Sequence, residues 1–135
     1  MKKTDLFKDT LKLMCKYTPN IQKVYNCKAR IYNYVNVAII ESYHTYVGVF
    51  YRPSGSLFVF DYYSVTTYQH INKAAKLLKA DRIVYLYRRG DGVIEKGLSC
   101  YANTYSLRMK EFNKVKESDF STYIPDKMFD KEDLN

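Results

Sequence analysis

The chain has no tryptophan, three cysteines and two histidines. Cys15, Cys27 and Cys100 are odd in number and widely spaced, with no C-x-x-C pair, which excludes a disulfide framework. With His44 and His70 as the only imidazoles, no zinc-ligand spacing exists either. Three such cysteines read as reduced and buried, hence as those of an intracellular protein. No apolar run approaches the length of a membrane span. Near the start, Asp5, Lys8, Asp9 and Lys12 interrupt any apolar core that a signal peptide would need. The sequence carries no G-x-G-x-x-G or Walker pattern, no helix-turn-helix, zinc-finger or aromatic RNP signature, no internal repeat and no low-complexity segment. No motif identifies a reaction. The expectation is a protein that is not an enzyme and holds no cofactor or metal.

What is present is tyrosine and positive charge. There are 15 Tyr and 7 Phe in 135 residues, and hydrophobic residues make up 47%, the balance of one folded domain. A tyrosine-rich sheet accounts for most of the aromatics. Tyrosine also serves interfaces and base stacking, because its ring is flat, rigid and tipped by a hydroxyl. The net charge is +8 and is unevenly spread. Residues 117–135 hold six acids (Glu117, Asp119, Asp126, Asp130, Glu132, Asp133) and two lysines; the rest has twenty cations against eight anions, a balance of +12. Such a body attracts polyanions or acidic protein faces. The expected organisation is a body over 1–118 and an acidic, loosely held segment over 119–135 that screens it.

The stretch Tyr62 to Lys79 carries the strongest helix signal. Thr66 and Gln69 have the spacing of a capping box, and Tyr68, Ile71, Ala74, Ala75 and Leu78 fall on one face. Asn72, Lys73, Lys76 and Lys79 fall on another. A first helix is expected over 4–17, with Lys8, Lys12 and Lys16 as a stripe and Pro19 as its stop. Period-two alternation from Val24 to Tyr32 predicts a half-exposed strand, and Val35 to Ile40 a buried one. Tyr43 to Tyr51 and Ser56 to Tyr63 flank Arg52-Pro53-Ser54-Gly55, the clearest hairpin turn. Arg82 to Tyr87 reads as an interior strand, Arg88-Arg89-Gly90-Asp91-Gly92 as a tight turn, and Val93 to Leu98 as a returning strand. Residues 101–110 fit period two and are expected to be a strand. The sum is an α+β fold, an antiparallel sheet of about five or six strands with two helices packed on one face.

Ser42, Tyr43, Thr45 and Val47, followed by Tyr63, Ser64, Thr66, Thr67, His70 and Ile71, give the pattern S-Y-x-T-x-V … Y-S-x-T-T-x-x-H-I. This resembles a family of small uncharacterised accessory proteins of bacterial viruses, over roughly residues 42–87. Many members carry a lysine before the histidine, where this chain has Gln69. The resemblance implies a viral accessory protein in the host cytoplasm and no known activity.

The candidate functional patch is basic: Lys73, Lys76 and Lys79 on the helix, with Arg82, Arg88 and Arg89 following, and Tyr85 and Tyr87 interleaved as in single-strand binders. His70 beside Ser64, Thr66 and Thr67 suggests a nucleophile–base pair, but hydroxyls at a helix start are ordinarily caps, and no acid is placed to orient the imidazole. Tyr63, Ser64, Thr66, Thr67, Gln69 and His70 are therefore expected to be a structural motif. Two partners fit the composition: nucleic acid, DNA or RNA, or a host protein such as a defence or nucleic-acid-processing enzyme that the chain would inhibit. No membrane partner is expected.

Overall fold

The computed structural model describes residues 12, 16–25, 28–87, 92–95 and 104–121. The expected helix over 4–17, the three cysteines, the turn at Arg88–Asp91 and the tail beyond Ser121 lie outside the described residues, Lys12, Lys16 and Tyr17 excepted.

The architecture is α+β, a mostly antiparallel sheet with two helices packed against it. Among the described residues seven strands lie in sequence order: β1 (Asn20–Val24), β2 (Ala29–Asn33), β3 (Val37–Ser42), β4 (Thr45–Tyr51), β5 (Ser56–Val59), β6 (Arg82–Tyr85) and β7 (Val93–Glu95). All neighbours pair antiparallel except β5 and β6, which are parallel and joined by helix α1 (Val65–Leu78). A parallel pair requires such a crossover. It carries the chain from the β5 end of the sheet back to the start of β6, so α1 runs antiparallel to both strands.

Alternation sorts the strand side chains onto two faces. Ala29, Ile31, Ala38, Ile40, Leu57 and Val59 meet Ile71 and Ala74 of α1 on one face. Val37, Ile39, Val49, Phe58, Val84 and Leu86 lie on the other, covered by Met109 and Phe112 of helix α2 (Tyr105–Phe112). The two described helices thus sit on opposite faces, and the helix expected over 4–17 lies outside the described residues. The central strands are buried on both sides, and each fully buried Leu or Ile contributes about 1.5–3 kcal/mol relative to exposure. Between β3 and β4 the register shifts: Ile40 pairs with Gly48 but Glu41 with Tyr46, leaving Val47 as the extra residue of a bulge. Gly48 has no room for a side chain, since a Cβ there would stand 2.7 Å from the Phe58 carbonyl oxygen on β5.

Three local expectations are corrected. Residues 24–32 are a hairpin, not one strand: Val24 ends β1, Tyr25 adopts a positive φ of 51°, and Ala29 starts β2. Residues from Tyr105 on are a helix, not a strand. Thr104 caps it by accepting from the Leu107 amide at 3.2 Å, and the side chains that pack, Arg108, Met109 and Phe112, recur at helical spacing. Leu107, which an alternating strand would have buried, is 55% exposed. Arg108 is buried because its Nη1 donates to the Tyr85 carbonyl at 2.6 Å, at the end of β6. Finally, the packed body runs past Ser118. A 3₁₀ turn at Glu117–Phe120 puts Phe120 fully in the core against Tyr34, 5.3 Å between ring centroids. Asp119 accepts from Asn36 Nδ2 at 3.2 Å and the Lys116 amide at 2.9 Å.

The Arg52–Gly55 turn is present, with the Gly55 amide donating to the Arg52 carbonyl at 3.2 Å. Gly55 has φ +71°, which favours glycine.

Candidate functional site

Two hairpin turns stand side by side at one end of the sheet, next to the start of α1. The β1–β2 turn carries Tyr25 and the β3–β4 turn carries Tyr43. They are tied together, since the Lys28 amide donates to the Tyr25 carbonyl at 3.1 Å and the Tyr43 amide to the Lys28 carbonyl at 2.7 Å. Both tyrosines have positive φ, 51° and 57°. A bulky side chain in that region costs about 1–3 kcal/mol, and such strain concentrates at ligand sites. Both rings are about half exposed, 49% and 48%, rather than packed away. Between them lies His70 of α1, with centroid distances of 5.5 Å to Tyr25 and 5.3 Å to Tyr43.

The first turn of α1 holds this histidine through hydroxyls. Ser64, not Thr66, is the N-cap: its Oγ accepts from the Thr67 amide at 3.3 Å. Thr66 is inside the helix and exposed, so the expected Thr66–Gln69 capping box does not form. Ser64 Oγ also donates to Thr67 Oγ1 at 3.3 Å; Thr67 Oγ1 lies 3.2 Å from Ser42 Oγ, and Ser42 Oγ 2.8 Å from His70 Nδ1. Ser42 ends β3, so the chain of hydroxyls pins the helix to the sheet. Burial holds the His70 pKa below its ordinary value, and the nearby Lys28 charge lowers it further.

Tyr25, Lys28, Tyr43, Thr66, Gln69 and His70 line an open pocket of about 290 Å³. A planar ring of nucleobase size fits that volume, and no carboxylate is among the lining residues. Ser42 and His70 have the contact of a nucleophile and its base, but Ser42 is only 2% exposed and is not among those lining residues. The arrangement suits binding rather than nucleophilic attack.

The residues singled out in the sequence fall into three groups. Lys73, Lys76 and Lys79 are exposed on α1. Thr66, Gln69, Lys73 and Lys76 follow one another at three- and four-residue spacing, so the lysines continue the pocket's rim along the helix. Arg82 is not part of that row. It is half buried, and its Nη1 donates to the Ser54 carbonyl at 2.6 Å and to Ser56 Oγ at 3.1 Å. Arg88 and Arg89 lie outside the described residues. Tyr85 and Tyr87 are the inner members of a cluster with Tyr62, Tyr63 and Tyr68, in which the Tyr68 and Tyr87 hydroxyls meet at 2.9 Å. Burial, with the Asp61 charge adding to it, pushes the Tyr63 hydroxyl well above the ordinary tyrosine range. The structural motif of Ser64, Thr67 and His70 is brought together as one unit, while Thr66 and Gln69 face the pocket instead. Sequence reasoning missed Tyr25, Lys28 and Tyr43 as site residues, and missed Ser42 as the partner of His70. The one available signal was the occurrence of Ser42 and Tyr43 in the same pattern as His70.

Among the described residues, no group of three or more His, Cys, Asp or Glu side chains is placed to hold a metal ion. No helix among them is long and apolar enough to cross a membrane. No curated protein and no solved structure matches the chain. The model of DUF8033, described as a family of unknown function, matches residues 12–91. That span covers more than half of the chain and contains every residue of the pocket, and the protein therefore belongs to the DUF8033 family.

Proposed function

We propose that this is a small, non-enzymatic accessory protein of a bacterial virus that binds single-stranded nucleic acid in the host cytoplasm. The observation that carries the binding is the pair Tyr25 and Tyr43, held half exposed at positive φ on adjoining turns. Rigid, exposed aromatic faces are what unpaired bases stack on, and they work without sequence preference. Lys28 at the pocket, with Lys73 and Lys76 along α1, supplies cations for the phosphates on either side of a stacked base. The net charge of +8 acts in the same direction. The viral assignment rests on the resemblance over residues 42–87, whose pattern includes Ser42, Tyr43 and His70.

A second reading, docking on a host protein, is favoured by Tyr62 and Val65. These side chains are 77% and 76% exposed just before and at the start of α1. Both readings are tested by titrating single-stranded oligonucleotides across a salt series. For the nucleic-acid reading, Tyr25→Ala/Tyr43→Ala loses about 1–3 kcal/mol of affinity for each stacked base. Lys73→Ala/Lys76→Ala lowers the salt slope by about 0.7 for each cation removed. Absence of binding by the wild type at low salt overturns this reading and leaves docking through Tyr62 and Val65.

A further inference from the structure

The hydroxyl chain beneath the pocket has a direction. Ser64 donates to Thr67 Oγ1. Thr67 is buried, and Ser42 Oγ, at 3.2 Å, is the one acceptor its own proton has among the described residues. A buried hydroxyl that fails to donate is costly, so the Thr67 proton goes to Ser42. The Ser42 proton then has one acceptor left, His70 Nδ1 at 2.8 Å. An imidazole that accepts at Nδ1 and is neutral carries its proton on Nε2. Nε2 has no hydrogen-bond partner among the described residues. Nδ1 is taken by the buried Ser42, and the ring is part of the pocket wall.

We infer that His70 presents a fixed Nε2–H donor to the pocket and thereby selects, among stacked bases, those with an oxygen at pyrimidine position 4 or purine position 6: thymine or uracil, and guanine. This rests on the proposed binding of single strands at this site and names what the site reads. A neutral donor between two aromatic rings suits the edge of a base better than a phosphate. At the matching ring position thymine and guanine offer an oxygen, whereas cytosine and adenine offer an amino group, a second donor facing a donor. The tautomer cannot switch to meet the amino group. To turn Nε2 into an acceptor, the proton would move to Nδ1, and the Ser42, Thr67 and Ser64 hydroxyls would all have to reverse. Depression of the His70 pKa keeps the ring neutral near neutral pH.

Two measurements test this separately. A two-bond proton–nitrogen correlation spectrum of the wild-type protein near neutral pH shows His70 with a protonated Nε2 and a bare Nδ1. A protonated Nδ1, or a doubly protonated ring, overturns the assignment whatever the protein binds. Oligothymidylate binds about three- to tenfold more tightly than oligodeoxycytidylate of the same length, the worth of one hydrogen bond. His70→Ala and Ser42→Ala both erase that ratio while keeping the salt slope. Equal affinities for the two oligonucleotides in the wild type, or a ratio that survives both substitutions, overturn the base-reading role. Absence of binding to either one removes the nucleic-acid reading and the base selection with it, and leaves the tautomer to be judged by the spectrum.

Discussion

The two ends of the sheet use their polar side chains in opposite ways. At the end where β4 turns into β5, polar groups are turned inward. Arg82 donates to the Ser54 carbonyl and to Ser56 Oγ, Ser56 donates to Glu111 at 2.7 Å, and Arg52 donates to Asn33 at 2.7 Å. The Asp81 amide donates to the Gly55 carbonyl at 2.8 Å, locking the start of β6 onto the turn. At the other end the hydroxyls also face inward, but what they hold is an imidazole at the wall of a pocket between two half-exposed rings. The first end spends its cations on carbonyl oxygens of the fold. The second leaves Lys28 in solvent, and the exposed lysines of α1 run from Lys73 at mid-helix to Lys76 in its last turn. A positive residue in the sequence is therefore not a positive residue on the surface, and Arg82 and Lys73, nine positions apart, show the difference.

The largest effect that sharpens this contrast is expected at the closed end. Arg82→Ala removes two donors from the β4–β5 turn and leaves the Ser54 carbonyl short of its charged partner. Stability should fall by about 2 kcal/mol, read as a shift in the urea midpoint. The salt dependence of nucleic-acid binding should stay as in the wild type. An unchanged midpoint with a reduced salt slope would reverse the comparison and place Arg82 among the phosphate contacts.

A smaller effect is expected at the start of α1, where two hydroxyl residues look alike in sequence and differ in place. Ser64→Ala removes the cap and the first donor of the hydroxyl chain, and should cost about 1 kcal/mol. Thr66→Ala touches only the pocket rim and should stay within about 0.5 kcal/mol. Equal costs would return the cap to Thr66.

This pair also shows what could be read in advance. Periodicity was enough for α1, for the interior position of β6 and for the Arg52–Gly55 turn, because each of those is decided within a few residues. The cap was not, since Ser64, Thr66 and Thr67 all precede the apolar face and all carry a hydroxyl. What separates them is Ser42, on a strand more than twenty residues earlier, whose Oγ lies near Thr67. Helix α2 is hard to tell from a strand for a related reason. Tyr105 and Met109 share a face in an alternating pattern and in a helical one, Leu107 does not, and only the packing of Arg108 and Phe112 against the sheet decides between them. The pocket is hidden by the hairpin at Tyr25, which has no glycine to announce it and whose flanks alternate as one strand would.

The smallest effect is the pH dependence of stability, and its sign follows from burial. His70 is 4% exposed, and its folded-state pKa lies below the ordinary 6.5 because burial and the Lys28 charge both oppose the charged ring. The groups around it are Tyr25 and Tyr43 from the two turns, Lys28 beside them, and the neutral Ser42 and Thr67; no carboxylate among the described residues contacts it. An unfolded chain binds the His70 proton more readily than the folded one. The contribution of neutral His70 is thus complete above the unfolded value and is lost as pH falls below about 6.5 through the folded pKa. Urea midpoints measured between about pH 7.5 and pH 5.5, above the range where carboxylates dominate, should fall as the solution is acidified. His70→Gln should flatten that fall, since an amide does not titrate. A midpoint that rises on acidification, or one that falls equally in His70→Gln, would mean that His70 is held in its charged form or that another group carries the slope. Either result would break the picture of the open end as a neutral donor set between two rings.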